Sequence, residues 1–381
     1  MNRISNIPKI LVLPVLSWRR SGGLESVTMD ISSAFVAMGW RVKVFSVFDT
    51  EPIEELPGVE TFSLCQRSRV KKSLWHRYFW RPVLARRVRK ALAGGGLLIF
   101  GHAHLLPLLD SLPPLPDVHY WSWVYGLEVW GSEANRWVSR LNRLNRVVSI
   151  SEFTADQLIR AGLTTPVNVV PNCVDLKKFT PTTTSERIKR GEILICGRLA
   201  AHERYKGHDL LLECLPIAER LAGLTLTLRV VGTGDDFDRL RAKARQLDLD
   251  EKVIFSGRVS FSDLIEAYRH CGVFCMPSRV EQRKKGYWSG EGFGIVYIEA
   301  AACGRPVIAS TDGGAPETII PGETGLLVDP RSKEAVARTI AKILRDPVRA
   351  DAMGRQGRIL VEQKFSKEAF SYNVQELLLR D

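Results

Sequence analysis

The sequence predicts an α/β protein of two domains, each built on a parallel β-sheet, with the two sheets facing one another across a cleft. Three features of the 381-residue chain support this prediction. Apolar stretches of strand length alternate with helical stretches in both halves, as is typical of βαβ units. A polar stretch rich in Thr and Lys separates the halves. Glycines follow several predicted strands, at the end of the sheet where such folds bind ligands.

The first domain, residues 1–172, begins with an apolar strand and alternates regularly from there. Its predicted strands cover residues 10–16, 42–48, 97–100, 118–124, 147–150 and 167–170. Its predicted helices include one that ends at residue 38 and others at residues 73–92, 133–143 and 152–162. Gly22 and Gly23 follow the first strand, where backbone N–H groups can bind a phosphate, although an ordinary tight turn explains these glycines equally well.

Residues 173–190 form the predicted linker, because the alternation lapses there into polar residues. The second domain, residues 191–365, then resumes the pattern. Its predicted strands cover residues 193–196, 226–231, 253–255, 273–276, 306–308 and 326–328. Its predicted helices cover residues 207–221, 235–246, 261–270, 295–303 and 333–345. Two domains of this kind leave a cleft at the carboxyl ends of their strands.

A glycine-rich turn at residues 290–294 precedes the helix of residues 295–303. The glycines leave N–H groups at the helix start free to bind an anion. Glu291 lies in the turn, whereas Glu299 lies in the helix, where a carboxylate can accept both hydroxyls of a ribose. The stretch therefore predicts half of a site for a sugar that carries a phosphate.

Two basic residues follow the first strand of the second domain. Arg198 comes directly after this strand, and Lys206 stands just before the next helix. Such a pair can bind a diphosphate and stabilise it as a leaving group, although solvated loop charges are the alternative interpretation. Glycine turns at residues 230–234 and 256–258 also follow strands, so we expect these turns to converge on the same place.

Together these motifs resemble the retaining glycosyltransferases of family 4, the glycosyl transferases group 1, which adopt the GT-B fold of two Rossmann-like domains. The matching motifs are residues 197–199, 206–207, 231–234, 255–257, 276–278, 291–299, 304–307 and 313–317. The resemblance is dense from about residue 147 to 365 and thinner before. It also implies that a terminal helix at about residues 366–381 returns to the first domain.

The resemblance assigns roles to the matching residues. Arg198 and Lys206 would hold the donor's diphosphate, and Glu291 would lie near the transferred sugar. These three are the expected catalytic residues. The expected donor-binding residues are Gly23, Arg258, Val259, Gly292, Phe293, Gly294, Ile295 and Glu299. The resemblance implies a UDP-sugar or GDP-sugar as the donor substrate. It also implies no cofactor, because the family generally needs no metal.

One position departs from the family pattern. Many relatives carry a histidine in a segment similar to His-Gly-Leu-Glu, and Tyr125 takes its place here. The tyrosine hydroxyl can bind a donor or acceptor sugar, or the side chain can simply pack. His104, beside His102, has the same two interpretations. Trp121 and Trp123 lie on one face of a predicted strand and offer either a platform for an acceptor sugar or core packing.

The charge distribution predicts a partner for the first domain. The formal net charge is +12, residues 61–109 contain no Asp or Glu, and residues 67–90 contain ten Lys or Arg interleaved with aromatic residues. This composition favours binding to an anionic membrane surface. The alternative is that the basic residues form a solvated face. Arg136, Arg140 and Arg143 share a helical face and would extend the basic surface. Nucleic acid is not expected, because no binding motif accompanies the charge.

The composition predicts a location in the cytoplasm, at the inner face of the cell membrane. The first thirty residues do not have the order of a signal peptide, and no apolar run is long enough to span a bilayer. The seven cysteines are scattered through mostly apolar stretches, which favours reduced, buried thiols over a disulfide framework.

These inferences predict a retaining, metal-independent hexosyltransferase that moves a hexose from a nucleotide-sugar to a glycan acceptor. The basic, aromatic first domain favours a lipid-linked acceptor in surface polysaccharide or lipopolysaccharide synthesis. The motifs fit several donor sugars and bases, because discrimination depends on a few pocket contacts. Two alternatives are a GT-B enzyme with a soluble acceptor, such as a sucrose- or trehalose-type synthase, and a non-catalytic protein that binds surfaces through its basic residues.

Overall fold

The computed structural model describes residues 7–18, 23–49, 55–65, 80–182, 188–283 and 286–380. Gly22 and the first part of the predicted basic segment, residues 67–79, lie outside this set. The chain divides into two compact units. Unit 1 comprises Met1–Asn172 with Glu368–Asp381, and unit 2 comprises Cys173–Lys367. Within the described ranges, no helix is both long and apolar enough to cross a membrane.

Unit 1 is built on a parallel sheet of seven strands in the order β3-β2-β1-β4-β5-β6-β7. The strands are β1 (Ile10–Val15), β2 (Arg41–Ser46), β3 (Val59–Ser63), β4 (Gly96–Phe100), β5 (Val118–Val124), β6 (Arg146–Ser149) and β7 (Val167–Val169). The sequence predicts six of them. It misses β3, because this edge strand is largely polar and partly exposed and so lacks an apolar run.

Helices connect these strands and bury one apolar side each. They are α1 (Gly23–Ala37), α2 (Trp80–Ala91), α3 (Ser132–Leu141) and α4 (Glu152–Arg160). The helix predicted at residues 73–92 is described from Trp80 onward as α2. Its Leu84, Ala85 and Val88 are buried, at the spacing that places side chains on one helical face. Ser151 caps α4, since its hydroxyl accepts a hydrogen bond from the Thr154 N–H.

Large aromatic side chains fill the core of unit 1. Trp121, Trp123, Trp130 and Trp137 each have at most 2% of their surface exposed. The interpretation of Trp121 and Trp123 as an acceptor platform is therefore wrong, because rings enclosed in the core cannot stack on a sugar. The last described helix, α11, spans Lys367–Leu379. Its Phe370 ring contacts the ring of Trp123, with centroids 5.9 Å apart.

Unit 2 is built on a second parallel sheet, of six strands in the order β10-β9-β8-β11-β14-β15. The strands are β8 (Lys189–Cys196), β9 (Thr227–Val231), β10 (Val253–Gly257), β11 (Cys271–Met276), β14 (Val307–Ser310) and β15 (Gly325–Val328). A short antiparallel ribbon joins β12 (Glu281–Gln282) to β13 (Trp288–Ser289). The strand order reverses direction between β8 and β11, which is the ligand-binding position in doubly wound sheets. Both units are thus Rossmann-like, and the predicted α/β class with two parallel-sheet domains is confirmed.

Six helices of unit 2 accompany this sheet in the described part of the chain. They are α5 (His208–Ala222), α6 (Phe237–Gln246), α7 (Phe261–His270), α8 (Ile295–Ala302), α9 (Lys333–Leu344) and α10 (Pro347–Lys364). The described start of the predicted linker, residues 173–182, packs against these helices. Phe179 is buried, and its carbonyl accepts a hydrogen bond of 2.7 Å from Arg358. Residues 183–187 lie outside the described set.

The seven cysteines are all free and buried, as the sequence predicts. Cys271 and Cys275 lie in the fully buried strand β11, and Cys196 ends β8. Burial raises the pKa of the Cys271 and Cys275 thiols above the usual value, which keeps them protonated and unreactive near neutral pH. These side chains therefore act as small apolar core residues.

We expect helix α11 to contribute to the stability of unit 1 through Phe370. Phe370→Ala removes a ring that is 2% exposed and should lower the free energy of unfolding by about 3–5 kcal/mol. Tyr372→Ala is the matched control, because Tyr372 lies on the same helix with 62% of its surface exposed. Urea denaturation should show a change within about 0.5 kcal/mol for the control. Equal losses in the two variants would contradict the assignment of α11 to the core.

Candidate functional site

Three glycine turns meet at the carboxyl ends of β8, β9 and β10. The Gly232 N–H donates to the Gly257 carbonyl at 2.9 Å, and the Gly197 N–H donates to the Val231 carbonyl at 3.0 Å. A Cβ atom on Gly232 would lie 1.8 Å from the Gly197 carbonyl oxygen, and Gly232 has a φ of +143°. Only glycine fits there. The three turns therefore form one backbone surface beside the point where the strand order reverses.

The two predicted diphosphate ligands lie together next to this surface, with a carboxylate between them. Arg198 donates a hydrogen bond of 2.5 Å to Glu203 Oε1, and Lys206 Nζ lies 2.8 Å from Glu203 Oε2. The Arg198 side chain is 74% exposed, whereas the Lys206 side chain is 13% exposed. The Lys206 stem packs against Gly197, in space that a larger residue would occupy. The site thus presents one exposed and one half-buried cation.

Contacts on several sides hold the 3-10 turn that carries Glu203 (Ala201–Lys206). The Arg204 guanidinium binds the buried Asp236 carboxylate at 2.6 Å. The Asp235 carboxylate accepts a hydrogen bond of 2.8 Å from the Ala201 N–H. From the β12–β13 ribbon, Arg283 donates to the His202 carbonyl at 2.7 Å. The segment 280–288, whose role the sequence leaves open, therefore supports this turn with its described residues; residues 284 and 285 lie outside the described set.

Glu291 lies close to the two cations. Its pKa is raised above the usual value, chiefly by burial; Lys206 and Arg198 lower this pKa, whereas Glu203 adds to the rise. The turn that carries Glu291 rests on a second glycine pair. A Cβ atom on Gly314 would lie 2.0 Å from the Gly292 carbonyl oxygen, and one on Gly313 would lie 2.5 Å from the Glu291 carbonyl oxygen. The structure therefore brings the three residues predicted as catalytic into one cluster within unit 2.

Glu299 lies in the second turn of α8 and accepts a hydrogen bond of 2.7 Å from the Tyr268 hydroxyl. Burial raises the pKa of Glu299 to about 7, and the hydrogen bond from Tyr268 acts in the opposite direction. Tyr268 itself is fully buried. A carboxylate held in this way retains acceptor capacity for further hydroxyl groups, as the predicted ribose contact requires.

The other donor-binding residues predicted in unit 2 surround the start of α8 or follow β10. The Phe293 ring is 1% exposed and packs on Phe365, so Phe293 can reach a ligand only through its backbone. Gly294 has a φ of +90° and precedes Ile295, the first residue of α8. Gly292 and Ile295 are partly exposed. After β10, Arg258 is exposed and Val259 is partly exposed.

In unit 1, Gly23 begins α1 and is exposed, with open space where a side chain would be. Tyr125 is 8% exposed and stacks on His102, with ring centroids 6.3 Å apart. Its hydroxyl makes no hydrogen bond to any residue that the structure describes. Burial, with Glu128 and Glu25 nearby, raises the pKa of Tyr125, so this hydroxyl stays protonated.

Two histidines and a glutamate lie near Tyr125. His104 is exposed, and its ring centroid lies 5.6 Å from that of Trp137. Glu128 accepts the Tyr125 N–H at 2.5 Å, and burial raises the pKa of Glu128 to about 7. Burial lowers the pKa of His102 to about 3, so its imidazole is neutral. The structure thus groups Tyr125 with two histidines and a carboxylate.

Sequence reasoning missed Glu203, Tyr268 and Arg283. Glu203 stands three residues before Lys206, a spacing that favours ion pairs in helical turns, and this signal was readable. Tyr268 lies 31 residues before Glu299, and Arg283 lies 81 residues after His202, so no local pattern relates these pairs. Among the described residues, no three His, Cys, Asp or Glu side chains form a group suited to a metal ion.

Comparison with protein families agrees with this geometry. The model "Glycosyltransferase Family 4" matches residues 21–178, and the model "Glycosyl transferases group 1" matches residues 184–360. The two matches fall on unit 1 and unit 2 respectively. The chain therefore belongs to the family 4 glycosyltransferases, with the GT-B fold, and the resemblance seen in the sequence is confirmed.

Two similar curated proteins are lipid mannosyltransferases by name. One is the GDP-mannose-dependent monoacylated alpha-(1-6)-phosphatidylinositol monomannoside mannosyltransferase of Corynebacterium glutamicum, 37% identical over 55% of this chain. The other is the GDP-mannose-dependent alpha-(1-6)-phosphatidylinositol monomannoside mannosyltransferase of Mycolicibacterium smegmatis, 35% identical over 57% of this chain. The matches span 55% and 57% of the lengths of these relatives.

Solved structures share the fold along almost the whole chain. The sucrose-phosphate synthase of Thermosynechococcus elongatus is 23% identical, with a TM-score of 0.76, and the match covers 97% of this chain and 98% of that one. HepE of Anabaena, in complex with UDP and glucose, is 19% identical with a TM-score of 0.76, and the match covers 98% and 100% of the chains. At these identities the likeness concerns the fold alone.

We expect the stability of the protein to depend on the protonation of Glu299. The folded protein holds this proton more tightly than the unfolded chain, because the folded pKa of about 7 exceeds the ordinary 4.5. The resulting stabilisation is complete below about pH 4.5 and is lost as the pH rises through about 7. Glu299→Gln cannot ionise, so its free energy of unfolding should gain up to about 3 kcal/mol relative to the wild type between these pH values.

Urea denaturation at several pH values measures this difference. Glu334→Gln is the matched control, since Glu334 is an exposed glutamate of the same unit. The control should follow the wild-type pH profile. Parallel profiles for the wild type and Glu299→Gln would show that Glu299 does not titrate in this range.

Proposed function

We propose that the protein is a retaining hexosyltransferase that takes mannose from GDP-mannose and transfers it to a lipid-linked glycan acceptor. The observation that carries this proposal is the cluster of Arg198 and Lys206 beside Glu291, at the carboxyl end of β8. Two cations suit a diphosphate, and a carboxylate suits the sugar carbon to which that diphosphate is attached. The names of the curated relatives support the donor and the class of acceptor.

The proposed reaction separates charge, and the residues of the cluster match each side of it. When the bond between the sugar's anomeric carbon and the phosphate oxygen breaks, its electron pair goes to that oxygen, and Arg198 and Lys206 stabilise the negative charge. The sugar acquires oxocarbenium character, which an ionised Glu291 stabilises. The acceptor hydroxyl attacks from the face that the phosphate leaves and gives its proton to the departing phosphate. This front-face attack retains the anomeric configuration.

No metal or other cofactor takes part in this proposal. In unit 2, Arg198 and Lys206 supply the positive charge that a divalent cation would otherwise bring to the diphosphate. Glu299 binds the ribose hydroxyls, while the backbone at Gly292 and Gly294 contacts sugar and phosphate. The base lies beside Arg258. In unit 1, Gly23 contacts phosphate, and Tyr125 and His104 contact a sugar, donor or acceptor.

The surface of α2 supports a membrane-bound acceptor. Five cationic residues of this helix are exposed, and none of them forms an ion pair with a described carboxylate: Arg81, Arg86, Arg87, Arg89 and Lys90. In contrast, Arg140 and Arg143 both pair with Asp110, at 2.8 and 2.7 Å. The basic surface predicted on α3 is therefore partly neutralised. The proposed membrane contact lies on α2, and we place the protein at the cytoplasmic face of a membrane, in the synthesis of a surface glycolipid or polysaccharide.

A soluble acceptor is the second candidate. Mannosylfructose-phosphate synthase of Agrobacterium fabrum is 31% identical over 46% of this chain and 39% of its own length. Transfer from GDP-mannose to soluble sugar phosphates in the absence of lipid would favour this candidate. Transfer only to a lipid extract would favour the first. A non-catalytic surface-binding protein would show neither transfer nor hydrolysis of the nucleotide-sugar.

We expect Arg198→Ala and Lys206→Ala each to lower kcat/KM for GDP-mannose by about 100- to 1,000-fold, because each removes a charge that stabilises the leaving diphosphate. Arg241→Ala is the matched control, since Arg241 is exposed on α6 of the same unit, and it should retain wild-type turnover. Transfer and hydrolysis are measured together, and NMR of the product gives the anomeric configuration. Full turnover by a variant that carries both substitutions would contradict the proposed role of Arg198 and Lys206 in stabilising the diphosphate. A product with inverted configuration would contradict front-face attack.

We expect α2 to bind anionic vesicles through its exposed cations. The variant replaces four of them by Gln: Arg86, Arg87, Arg89 and Lys90. Each cation contributes about 1 kcal/mol to binding at an anionic surface. The affinity of the variant for phosphatidylglycerol vesicles, measured by sedimentation at low salt, should therefore fall at least about a hundredfold. The charge-matched control replaces four exposed arginines of unit 2 by Gln: Arg220, Arg241, Arg338 and Arg355. An equal loss of vesicle affinity in both variants would show that net charge, and not the position of the cations on α2, determines binding.

A further inference from the structure

The carboxylate of Glu203 contacts both cations of the candidate site. The residue is 5% exposed, and each carboxylate oxygen contacts one of the two cations, Arg198 at 2.5 Å and Lys206 at 2.8 Å. A diphosphate is also an oxygen anion that needs the same donors. The proposed reaction assigns no role to Glu203, although its charge opposes that of the ligand.

The environment of Lys206 explains why an anion is needed there before any substrate binds. Its side chain is 13% exposed, and removing the partner of a largely buried charge is strongly unfavourable. Arg198 is different, because 74% of its side chain is exposed and water can solvate it. Glu203 therefore neutralises Lys206 above all, while Arg198 keeps donors free for a ligand.

The turn that carries Glu203 is held on both sides. The residues on both sides of it are anchored, His202 by Arg283 and Arg204 by the buried Asp236. Asp236 also binds Arg239 at 2.6 Å, and Arg239 binds Asp209 at 2.6 Å, so the anchor is part of a larger network of ion pairs. These contacts keep the backbone of Glu203 beside Arg198 and Lys206.

We propose that Glu203 is a resident counter-ion, which competes with the diphosphate for Arg198 and Lys206 and thereby promotes release of the nucleoside diphosphate product. This inference rests on the proposed function of the site. Two effects of removing the carboxylate oppose each other. Loss of its negative charge strengthens anion binding, whereas loss of its contacts frees the cations to move. The first effect dominates, because packing against Gly197 holds the Lys206 stem in place without Glu203.

The test compares Glu203→Gln and Glu203→Asp with the wild type by isothermal titration calorimetry. We expect Glu203→Gln to bind GDP and inorganic pyrophosphate about tenfold more tightly, since like charges a few ångströms apart interact strongly at a partly buried site. Affinity for guanosine should not change. Glu203→Asp keeps the charge but withdraws it by one methylene, so its GDP affinity should increase only about two- to threefold.

Steady-state kinetics and thermal unfolding extend the test. For Glu203→Gln, product inhibition by GDP should strengthen about tenfold and kcat should fall. Its melting temperature should drop without ligand and rise more with pyrophosphate than that of the wild type, because the anion then neutralises Lys206. Glu213→Gln is the matched control. It removes a carboxylate from another lysine of unit 2, Lys243 at 2.5 Å, and should leave GDP affinity unchanged.

Equal or weaker binding of GDP and pyrophosphate by Glu203→Gln would overturn the inference and leave the proposed function in place, provided that the wild type binds GDP. A different result separates the two proposals. If the wild type binds neither GDP nor UDP while Glu203→Gln binds pyrophosphate more tightly, competition of Glu203 with anions stands, whereas the proposed function and the role in product release fall. GDP affinity that increases from the wild type through Glu203→Asp to Glu203→Gln supports both proposals.

Discussion

The candidate site depends on close approach of backbone to backbone at the carboxyl ends of the strands of unit 2. Gly232 touches the carbonyl of Gly197, and Gly314 touches the carbonyl of Gly292. Side chains at these positions would force the turns apart, because their Cβ atoms would lie 1.8 and 2.0 Å from these carbonyl oxygens. Arg198 and Lys206, which follow β8, lie close enough to Glu291 for their charges to interact. Small residues thus determine where the charged ones lie.

Charge balance is the second constraint on the site. Lys206, Glu203 and Glu291 are brought together in a poorly solvated place, where an unpaired charge is costly. Glu203 contacts both cations. Burial raises the pKa of Glu291, and the two cations act in the opposite direction. Such an arrangement holds positive charge ready for a diphosphate without leaving a buried ammonium unpaired.

Unit 1 combines a rigid aromatic core with a polar cluster. Its tryptophans are enclosed and contribute to packing, whereas Tyr125, His102 and Glu128 combine burial with polar atoms. Five exposed cations lie on α2, and none of them forms an ion pair with a described carboxylate.

The sequence by itself determined the fold class, the repeated α/β alternation, and the grouping of Arg198, Lys206 and Glu291 with the glycine turns, because these follow from local patterns. It could not decide between the core and platform interpretations of Trp121 and Trp123, since a strand pattern shows which face a side chain shares and not what covers that face. Only the tertiary structure decided that they are buried. It also revealed Tyr268 as the hydrogen-bond partner of Glu299 and Asp110 as the ion-pair partner of Arg140. Likewise, it revealed that Arg283 supports the turn that carries Glu203. These contacts join residues that are distant in the chain, and packing of whole elements brings them together.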